Sequence, residues 1–327
     1  MAYALNALIT IGKYRFTSPN EVVINSSWKE LGDTCTIKLP NLKGRLERSI
    51  AVGDAVTVKL GYNGELRTEF VGYVSKISPK TPMEVFCEDG IWTLRRSTLT
   101  AGKSWKSVTL SGLLKEILSP LKTTLSPQIP AVTLAPFRIE KGTTLAQALQ
   151  KLNEDYLLTA YFRGDTLFVG LPYTEFSATR SEADRKAGRF VRANFQGNVA
   201  ADGLTFNRAD AVLLKAKAIS ILPNNKRIEV SVGDDAGEER TLHYYNIASE
   251  TALRQMATAD LQKYKYDGYT GTVTLYGNVA AIHSGTALVS DARYPERDGS
   301  YVIDSIKTTF GLNGYRKELT LGIKVSI

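Results

Sequence analysis

The fold class of this chain is decided by residues 53–96, which read GDAVTVKLGYNGELRTEFVGYVSKISPKTPMEVFCEDGIWTLRR. Apolar side chains at Val56, Val58 and Leu60 alternate with polar ones, which is the period of a half-buried β-strand. The Asn63-Gly64 pair predicts a tight turn, because glycine adopts a positive φ without steric cost. Two further strand-like runs follow the turn, so the whole stretch reads as one wall of a β-barrel.

A weaker copy of this stretch lies near the C-terminus and reads GTALVSDARYPERDGSYVIDSI. A shift of 232 positions places Gly53 on Gly285 and brings Phe70 within one residue of Tyr301. A glycine, an apolar strand, a loop and an aromatic-led strand follow in the same order in both places. The sequence therefore predicts two related β-barrels in one chain.

The composition is that of an ordinary globular protein with room for two or three domains. Hydrophobic residues make up 43% and charged residues 23% of the 327 positions. Lys and Arg total 41 against 33 Asp and Glu, which gives a net charge of +8. That excess permits contact with nucleic acid or another acidic surface without requiring it, and the absence of long basic runs favours a solvated surface.

The cysteines and the N-terminal segment indicate the cellular compartment in which the protein is made. Cys35 and Cys87 both fall in strand-like runs, so the sequence predicts buried thiols and leaves a disulfide between them open. The N-terminal segment has no basic start before its apolar residues, and no apolar run approaches the length of a membrane-spanning helix. We therefore expect synthesis in the cytoplasm.

The pattern along the chain predicts a mainly β fold with an α+β insertion, in which two related β-barrel domains flank a small helix–hairpin module. Short strands separated by turn residues place the first barrel at 1–96. Two amphipathic helices and a hairpin place the α+β module at 97–200. Strands resume over 201–327, the second barrel, which carries a helical insertion at about 249–266.

A search for reactive groups predicts no catalytic residue, no metal ligand and no cofactor site. His243 and His283 stand alone, with no neighbouring Cys or His cluster. The adjacent carboxylates of Glu88-Asp89 and Asp234-Asp235 point apart on a strand or belong to turns. The Arg-Gly-Asp sequence at 163–165 is explained by its place in a hairpin turn.

Two basic segments are candidates for facing a partner or lining a channel. The first precedes the first barrel wall, and the second occupies the corresponding region of the second barrel. The candidate residues are Lys43, Arg45, Arg48, Arg293 and Arg297. The alternative for each is a charged loop that faces only solvent.

The order of residues from Val52 to Leu94 resembles that of the baseplate hub proteins of contractile phage tails. This family includes the late-control D-type proteins, the Mu-like tail proteins and the N-terminal part of type VI secretion spike proteins. The matching features are Gly53-Asp54, the LGY of 60–62, the FVGYV of 70–74 and the EDGIWTL of 88–94. The segments TLAQALQKLNEDYLLTAYFRGDTLFVG and DGSYVIDSIKTTFGLNGYRKEL look like the family's middle module and second barrel.

The resemblance implies a structural role and no enzymatic one. It implies a homotrimer whose six barrels form a ring between a hexameric tail tube and a trimeric spike. The implied partners are tube and spike proteins, with transient passage of DNA or tail components through a channel. The implied location is the tail baseplate of a virion or of a phage-like particle, and infectious phage and secretion device both remain open.

Two other classes of function remain open from the residues alone. A carbohydrate- or nucleic-acid-binding β-protein would be a stable monomer that binds oligomers through aromatic and basic residues. A glycan-cleaving enzyme would depend on a carboxylate pair that no motif marks, and would lose activity on replacement of one Asp or Glu.

Overall fold

The structure, a computed structural model, describes residues 4–40, 49–121, 123–127, 129–130, 132–134, 136–156, 158–170, 185–186, 188–208, 213–222, 224, 226–262 and 267–325. The strands of the N-terminal part are β1 Leu5–Ile11, β2 Tyr14–Phe16, β3 Glu21–Ser27, β4 Thr34–Leu39, β5 Ala55–Tyr62, β6 Glu65–Ser78 and β7 Met83–Glu88. The middle part contains β8 Lys103–Trp105, β9 Val108–Thr109, β10 Thr124–Leu125, β11 Thr133–Leu134, β12 Phe137–Ile139, β13 Thr159–Arg163 and β14 Thr166–Gly170.

The C-terminal part continues with further strands and the last of the helices. Its strands are β15 Phe190–Asn194, β16 Val199–Asn207, β17 Leu214–Ile221, β18 Arg227–Gly233, β19 Glu238–Tyr245, β20 Gly268–Tyr276, β21 Thr286–Ser290, β22 Gly299–Gly311 and β23 Gly314–Val325. Among the described residues, the α-helices with stated bounds are α1 Ile91–Arg96, α2 Leu110–Leu118, α3 Leu145–Tyr156 and α4 Glu250–Gln262. The predicted mainly β fold is confirmed.

Local capping explains where the two middle helices begin. The Thr109 side chain accepts a hydrogen bond from the backbone N–H of Gly112 at the start of α2. At α3, the N–H of Gln147 donates to the Thr144 hydroxyl, and the N–H of Thr144 donates to the Gln147 side-chain oxygen. This reciprocal pair is a capping box, which satisfies two backbone donors at once.

Most strands belong to one large sheet that runs through both ends of the chain. Its strand order is β16-β20-β23-β22-β3-β4-β7-β6-β5-β1-β2, with β21 and β15 added beside β22. The long strand β22 connects the two halves of this sheet. Its first residues pair with β21, whereas its residues 305–311 pair with β3 from the N-terminal part. The two halves therefore share a continuous hydrogen-bonded sheet.

The two halves have related strand arrangements around separate cores. In the first half β5, β6, β7 and β4 are neighbours in that order, and in the second half β21, β22, β23 and β20 are. The Gly53 N–H donates to the Val74 carbonyl, and the Ile303 N–H donates to the Gly285 carbonyl. The Val74 N–H also donates to the Asp54 carbonyl, and the Ser284 N–H donates to the Ile303 carbonyl. The two contacts are therefore alike but differ by one residue from the Gly53–Gly285 alignment.

One detail of the repeat is wrong. On the buried face of each half, the structure pairs Val56 with Gly72 and Ala287 with Tyr301, so Tyr301 matches Gly72 and not Phe70. The second hairpin covers this distance with two fewer residues. A constant shift along the sequence cannot follow such a change of length.

The middle part has its own hydrophobic core. It is built by α1, α2, α3 and the β13–β14 hairpin, and its largest buried side chains include Phe137 and Tyr156. The short helix α1 was not predicted. Its Ile91 and Leu94 are three residues apart, and both are buried. The helix that follows the first barrel wall therefore packs into the core of the middle part.

The helical insertion is larger than the sequence indicated. Strands β17, β18 and β19 form a separate three-stranded sheet that α4 covers. Alternating residues predict the strands β17 and β18 but not the sheet that they join, so the sequence places them in the second barrel, and β19 is not predicted. Ile219 and Ile221 reach from β17 into the core of the middle part. Arg227 donates to the carbonyls of Glu154 and Asp155 at the end of α3, at 2.7 and 3.3 Å.

Two predicted extents concern the insertion helix and the boundaries of the three domains. The helix predicted at 249–266 is observed as α4 up to Gln262, and 263–266 lie outside the described residues. The division into 1–96, 97–200 and 201–327 stays a prediction. Among the helices that the structure describes, none is both long and apolar enough to cross a membrane.

Candidate functional site

Two of the five predicted partner-facing residues lie together on one exposed loop. This loop, residues 291–298, connects β21 to β22 and is called the arginine loop below. Arg293 is exposed, and the Arg297 guanidinium lies over the Tyr294 ring at 4.2 Å from its centroid. The other three, Lys43, Arg45 and Arg48, lie outside the described residues.

Backbone hydrogen bonds to two aspartates fix the shape of the arginine loop. The Asp291 N–H donates to the Asp298 carboxylate at 2.9 Å, and the Arg293 N–H donates to the Asp291 carboxylate at 2.9 Å. That second bond is the main cause of a lowered pKa at Asp291. The Gln196 side chain, from the turn before β16, bonds to Asp291 and to the N–H of Ala292. The loop is therefore held in one conformation against that turn.

The arginine loop adjoins an edge of the large sheet. Strand β16 is the last strand at this end and pairs with β20, and no described strand pairs with its outer edge. Arg297 lies 5.1 Å from the ring centroid of Phe206 on β16, and Tyr294 is 44% exposed. Arg and Tyr are enriched in protein–protein interfaces, and an open strand edge invites pairing with another chain. We call β16 and the arginine loop the edge surface.

A second candidate site lies where the three parts of the chain meet. A cavity of about 380 Å³ opens there, which we call the junction cavity. Its charged lining comes from all three parts. The lining groups that bear charge or titrate are Asp33, Arg67, Glu69, Asp89, Arg163, His283 and Lys317.

Two carboxylates of the junction cavity hold backbone segments together. The Asp89 carboxylate accepts the N–H groups of Asp33 at 2.9 Å and Ile91 at 3.0 Å. Asp33 accepts the N–H of Ser27 at 3.2 Å. Burial raises the pKa of Asp33 to about 7, with a further contribution from the Asp89 charge, and burial raises the pKa of Asp89 to about 6.

A histidine joins these carboxylates to the second half of the chain. His283 Nε2 lies 3.8 Å from Asp33 Oδ2, and the ring packs edge-on against Tyr161. Burial is the main cause that lowers the pKa of His283 to about 4, and the nearby Arg163 adds to it. Arg163 donates to the Ser284 hydroxyl. The Arg of the Arg-Gly-Asp turn is thus engaged in a contact between parts of the chain.

The cavity lining also contains a buried ion pair between the two halves. Lys317 Nζ on β23 lies 2.8 Å from Glu69 Oε2 on β6, and both side chains are at most 10% exposed. The Tyr315 hydroxyl donates to Glu69 at 2.6 Å, and Lys317 also donates to the Val279 carbonyl at 2.8 Å. Burial lowers the pKa of Lys317, and the Glu69 charge opposes that shift.

Two carboxylates of the junction cavity are engaged by other groups of the protein. Both oxygens of Asp89 are occupied by backbone donors, and Glu69 is occupied by Lys317 and Tyr315. Among the described residues, no group of three or more His, Cys, Asp or Glu side chains could hold a metal ion. The isolated His243 lies elsewhere, on β19, and burial lowers its pKa.

Sequence reasoning missed the junction residues, although one of them carried a signal. Tyr315, Lys317 and Leu319 occupy alternate, inward-facing positions of β23, so Lys317 is a charge in an apolar register. Such a residue indicates a buried partner. The partner, Glu69, is 248 positions away, and nothing in the sequence connects the two.

Comparison with known proteins shows the same fold in tail proteins. A tail protein from Neisseria meningitidis superposes with a TM-score of 0.62 at 15% identity, over 99% of both chains. The 43 kDa tail protein of a Shewanella oneidensis prophage gives 0.60 at 15% identity, over 97% of this chain and 98% of that one. A component of the E. coli type VI secretion system gives 0.59 at 9% identity, over 96% of this chain and 76% of that one.

Sequence comparisons add nothing to this likeness. No family model matches the chain, and no curated protein matches it. The chain is therefore similar in fold, along its whole length, to phage tail proteins and to a type VI secretion component.

Proposed function

We propose that this protein is a structural baseplate hub of a phage tail or a phage-like injection device. The observation that carries the proposal is the internal pairing of two related half-sheets, joined through β22 and β3, in a chain that matches tail proteins from end to end. Three copies of such a chain supply six related half-sheets. A homotrimer can therefore offer near-six-fold symmetry to a hexameric tail tube and three-fold symmetry to a spike.

The proposed partners are a tail tube protein and a spike protein. In this proposal the protein is made in the bacterial cytoplasm and assembled into a virion tail baseplate or a phage-like particle. DNA or tail components pass transiently through the centre of its ring. Its work is contact and not bond chemistry, which agrees with the structural engagement of the carboxylates in the junction cavity.

The edge surface is the proposed contact between copies of the chain. A ring requires heterologous contacts, in which one surface of each copy meets a different surface of the next. The open edge of β16 and the neighbouring Arg293 and Arg297 offer backbone hydrogen bonds and positive charge to such a neighbour. Lys43, Arg45 and Arg48 are proposed to face the partner or the channel as well.

Solution mass and particle images test the proposal together. Light scattering on a sizing column, across a concentration series, is expected to give three times the chain mass of 35.9 kDa. Electron-microscope averages of the same peak are expected to show a ring with six lobes and a central opening. A ring with another number of copies contradicts the hub.

A chain that stays monomeric, even when mixed with candidate tube and spike proteins, also contradicts it. Binding of oligosaccharides or single-stranded DNA by that monomer would favour the binding-protein alternative. Glycan cleavage that is lost in a folded Asp33→Asn or Asp89→Asn variant would favour the enzyme.

A further inference from the structure

Consecutive residues of one strand line the junction cavity. They are residues 67–71 of β6, from Arg67 to Val71. Successive side chains of a strand point to opposite faces of its sheet, so an unbroken run of lining residues indicates that the edge of the strand borders the cavity. We call residues 67–71 the β6 edge.

The β6 edge has a strand on one side and an open side towards the cavity. Strand β6 pairs with β5 from Glu65 to Tyr73, with a register shift at Glu69, whereas its pairing with β7 begins only at Tyr73. Among the described strands, none pairs with residues 67–71 on the side of β7. In an antiparallel ladder, the residues between hydrogen-bonded pairs turn their N–H and C=O groups to the other side. The β6 edge therefore offers backbone donors and acceptors to the cavity.

The rest of the lining combines further backbone with apolar side chains. Residues 280–283 also line the cavity and form neither helix nor strand. The side chains of Phe70, Phe162 and Ile306 add apolar surface. The volume of about 380 Å³ lies within the range of ligand sites, roughly 300–1,000 Å³. Arg67, Val71 and Ala280 are exposed, so the cavity can be reached from solvent.

Arg67 is the charged group of this lining that has no partner within the described part of the chain. The other charged groups are engaged there, namely Asp33 by the Ser27 N–H, Asp89 by two N–H groups, Arg163 by the Ser284 hydroxyl and Glu69 by Lys317. Arg67 forms neither a hydrogen bond nor an ion pair with a described residue. Because an arginine binds a carboxylate through two parallel hydrogen bonds, the lining favours a ligand with an acidic side chain.

We propose that the junction cavity binds an extended peptide segment of a partner protein, which adds to the β6 edge as a strand and places an acidic side chain against Arg67. An extended polypeptide returns an N–H and a C=O at the spacing at which a strand edge offers them. Its alternate side chains can pack against the apolar part of the lining. The inference does not depend on the proposed hub, because the whole cavity lies within one chain.

The test uses the full-length protein and a fluorescein-labelled peptide amide of sequence Thr-Val-Glu-Val-Thr-Val. Fluorescence anisotropy is expected to show saturable binding, and hydrogen exchange is expected to slow at residues 67–71 in the complex. The same peptide with lysine in place of glutamate is expected to bind about tenfold more weakly, because its charge opposes that of Arg67. A version with N-methylated valines cannot donate its valine N–H groups and is expected not to bind.

Matched variants locate the peptide. Arg67→Glu is expected to prefer the lysine peptide over the glutamate peptide. Ala280→Phe places a ring in the cavity from an exposed position, and is expected to abolish binding while circular dichroism remains that of the folded protein. Ala200→Phe, on the open edge of β16, is the control and should bind like wild type.

Three results would overturn the proposal. The first is the absence of saturable binding to the wild type. The second is binding that persists unchanged in both Arg67→Glu and Ala280→Phe. The third is a loss of binding in Ala200→Phe alone, which would move the peptide to the edge of β16.

Discussion

Lys317 and Glu69 form a buried ion pair, 2.8 Å apart, between the long strands of the two half-sheets. The pair is supported by the Tyr315 hydroxyl and the Val279 carbonyl, so both charges have further partners. Two charges removed from water contribute little net stability as a pair, but the loss of one partner leaves the other uncompensated. The pair therefore specifies how the halves dock more than it strengthens the fold.

We expect Lys317→Met to lower the free energy of unfolding by about 3 kcal/mol, because Glu69 then remains charged and buried without its cation. The measurement is urea unfolding followed by circular dichroism. The double variant Glu69→Met with Lys317→Met is expected to recover most of the loss, since no lone charge remains. A single variant as stable as wild type would contradict this account.

We expect the free energy of unfolding to depend on pH because Asp33, which lines the junction cavity, ionises. The folded-state pKa of this acid is raised to about 7, so ionisation costs more in the folded than in the unfolded chain. Asp33 contributes fully to the free energy of unfolding below about pH 4, and this contribution is lost as the pH rises through about 7. His283 acts oppositely: its pKa is lowered to about 4, so its contribution is lost as the pH falls from about 6.5 to 4.

Asp33→Asn isolates the first effect, because the amide oxygen can still accept the Ser27 N–H and cannot ionise. Between pH 5 and pH 8 the variant is expected to gain about 3 kcal/mol of unfolding free energy relative to wild type. Urea unfolding at the two pH values measures it. Asp165→Asn, at an exposed turn, is the control. Its unfolding free energy should differ from that of wild type by the same amount at pH 5 and at pH 8.

We expect the double variant Arg293→Glu with Arg297→Glu to prevent assembly of the ring without unfolding the chain. Arg293 is exposed, Arg297 covers the Tyr294 and Phe206 rings, and the shape of the arginine loop depends on backbone bonds to Asp291 and Asp298. Light scattering is expected to show monomer, with the circular dichroism of a folded chain. Lys141→Glu, on an exposed turn elsewhere, should remain trimeric. Trimer in both proteins would remove the arginine loop from the contact.

We expect Trp28→Phe to destabilise the contact between the halves by about 1–2 kcal/mol. The Trp28 indole N–H donates to the Asp304 carboxylate at 3.1 Å, and Lys29 Nζ lies 2.7 Å from the same group. Phenylalanine removes the indole donor to the buried carboxylate and also part of the buried ring, so both a hydrogen bond and some packing are lost. Urea unfolding measures the loss. Combination with Asp304→Asn should be less than additive, because both changes act on one contact.

The fold was predictable where the determinants are local and not where they are distant. Alternation in the strands of residues 55–88 and the helical spacing in α2 and α3 depend on near neighbours, and the structure reproduces them, whereas residues 91–96 form the helix α1 in place of barrel wall. The membership of β17 in a separate sheet depends on pairing with β18 and β19, which alternation does not encode.

In the candidate sites too, features with local determinants were predictable and contacts between distant residues were not. The exposure of Arg293 follows from its loop sequence, which local turn signals reveal. The contact of Arg297 with Phe206 depends on a strand roughly ninety residues earlier in the chain, and the Glu69–Lys317 pair depends on a still longer separation. A lysine in an apolar register was the one readable sign of such a contact.

The shared strand β22 has a mechanical consequence. Its residues 305–311 are hydrogen-bonded on one side to β3 and on the other to β23, so one segment is common to the walls of both halves. A pull along β22 would have to shear both ladders at the same time instead of opening them one bond after another. Force applied to one half is therefore passed to the other through a stiff ribbon of backbone. If the halves were expressed separately, this pairing would be lost. The first half would then expose the edge of β3 to other chains, and the second half the edge of β22.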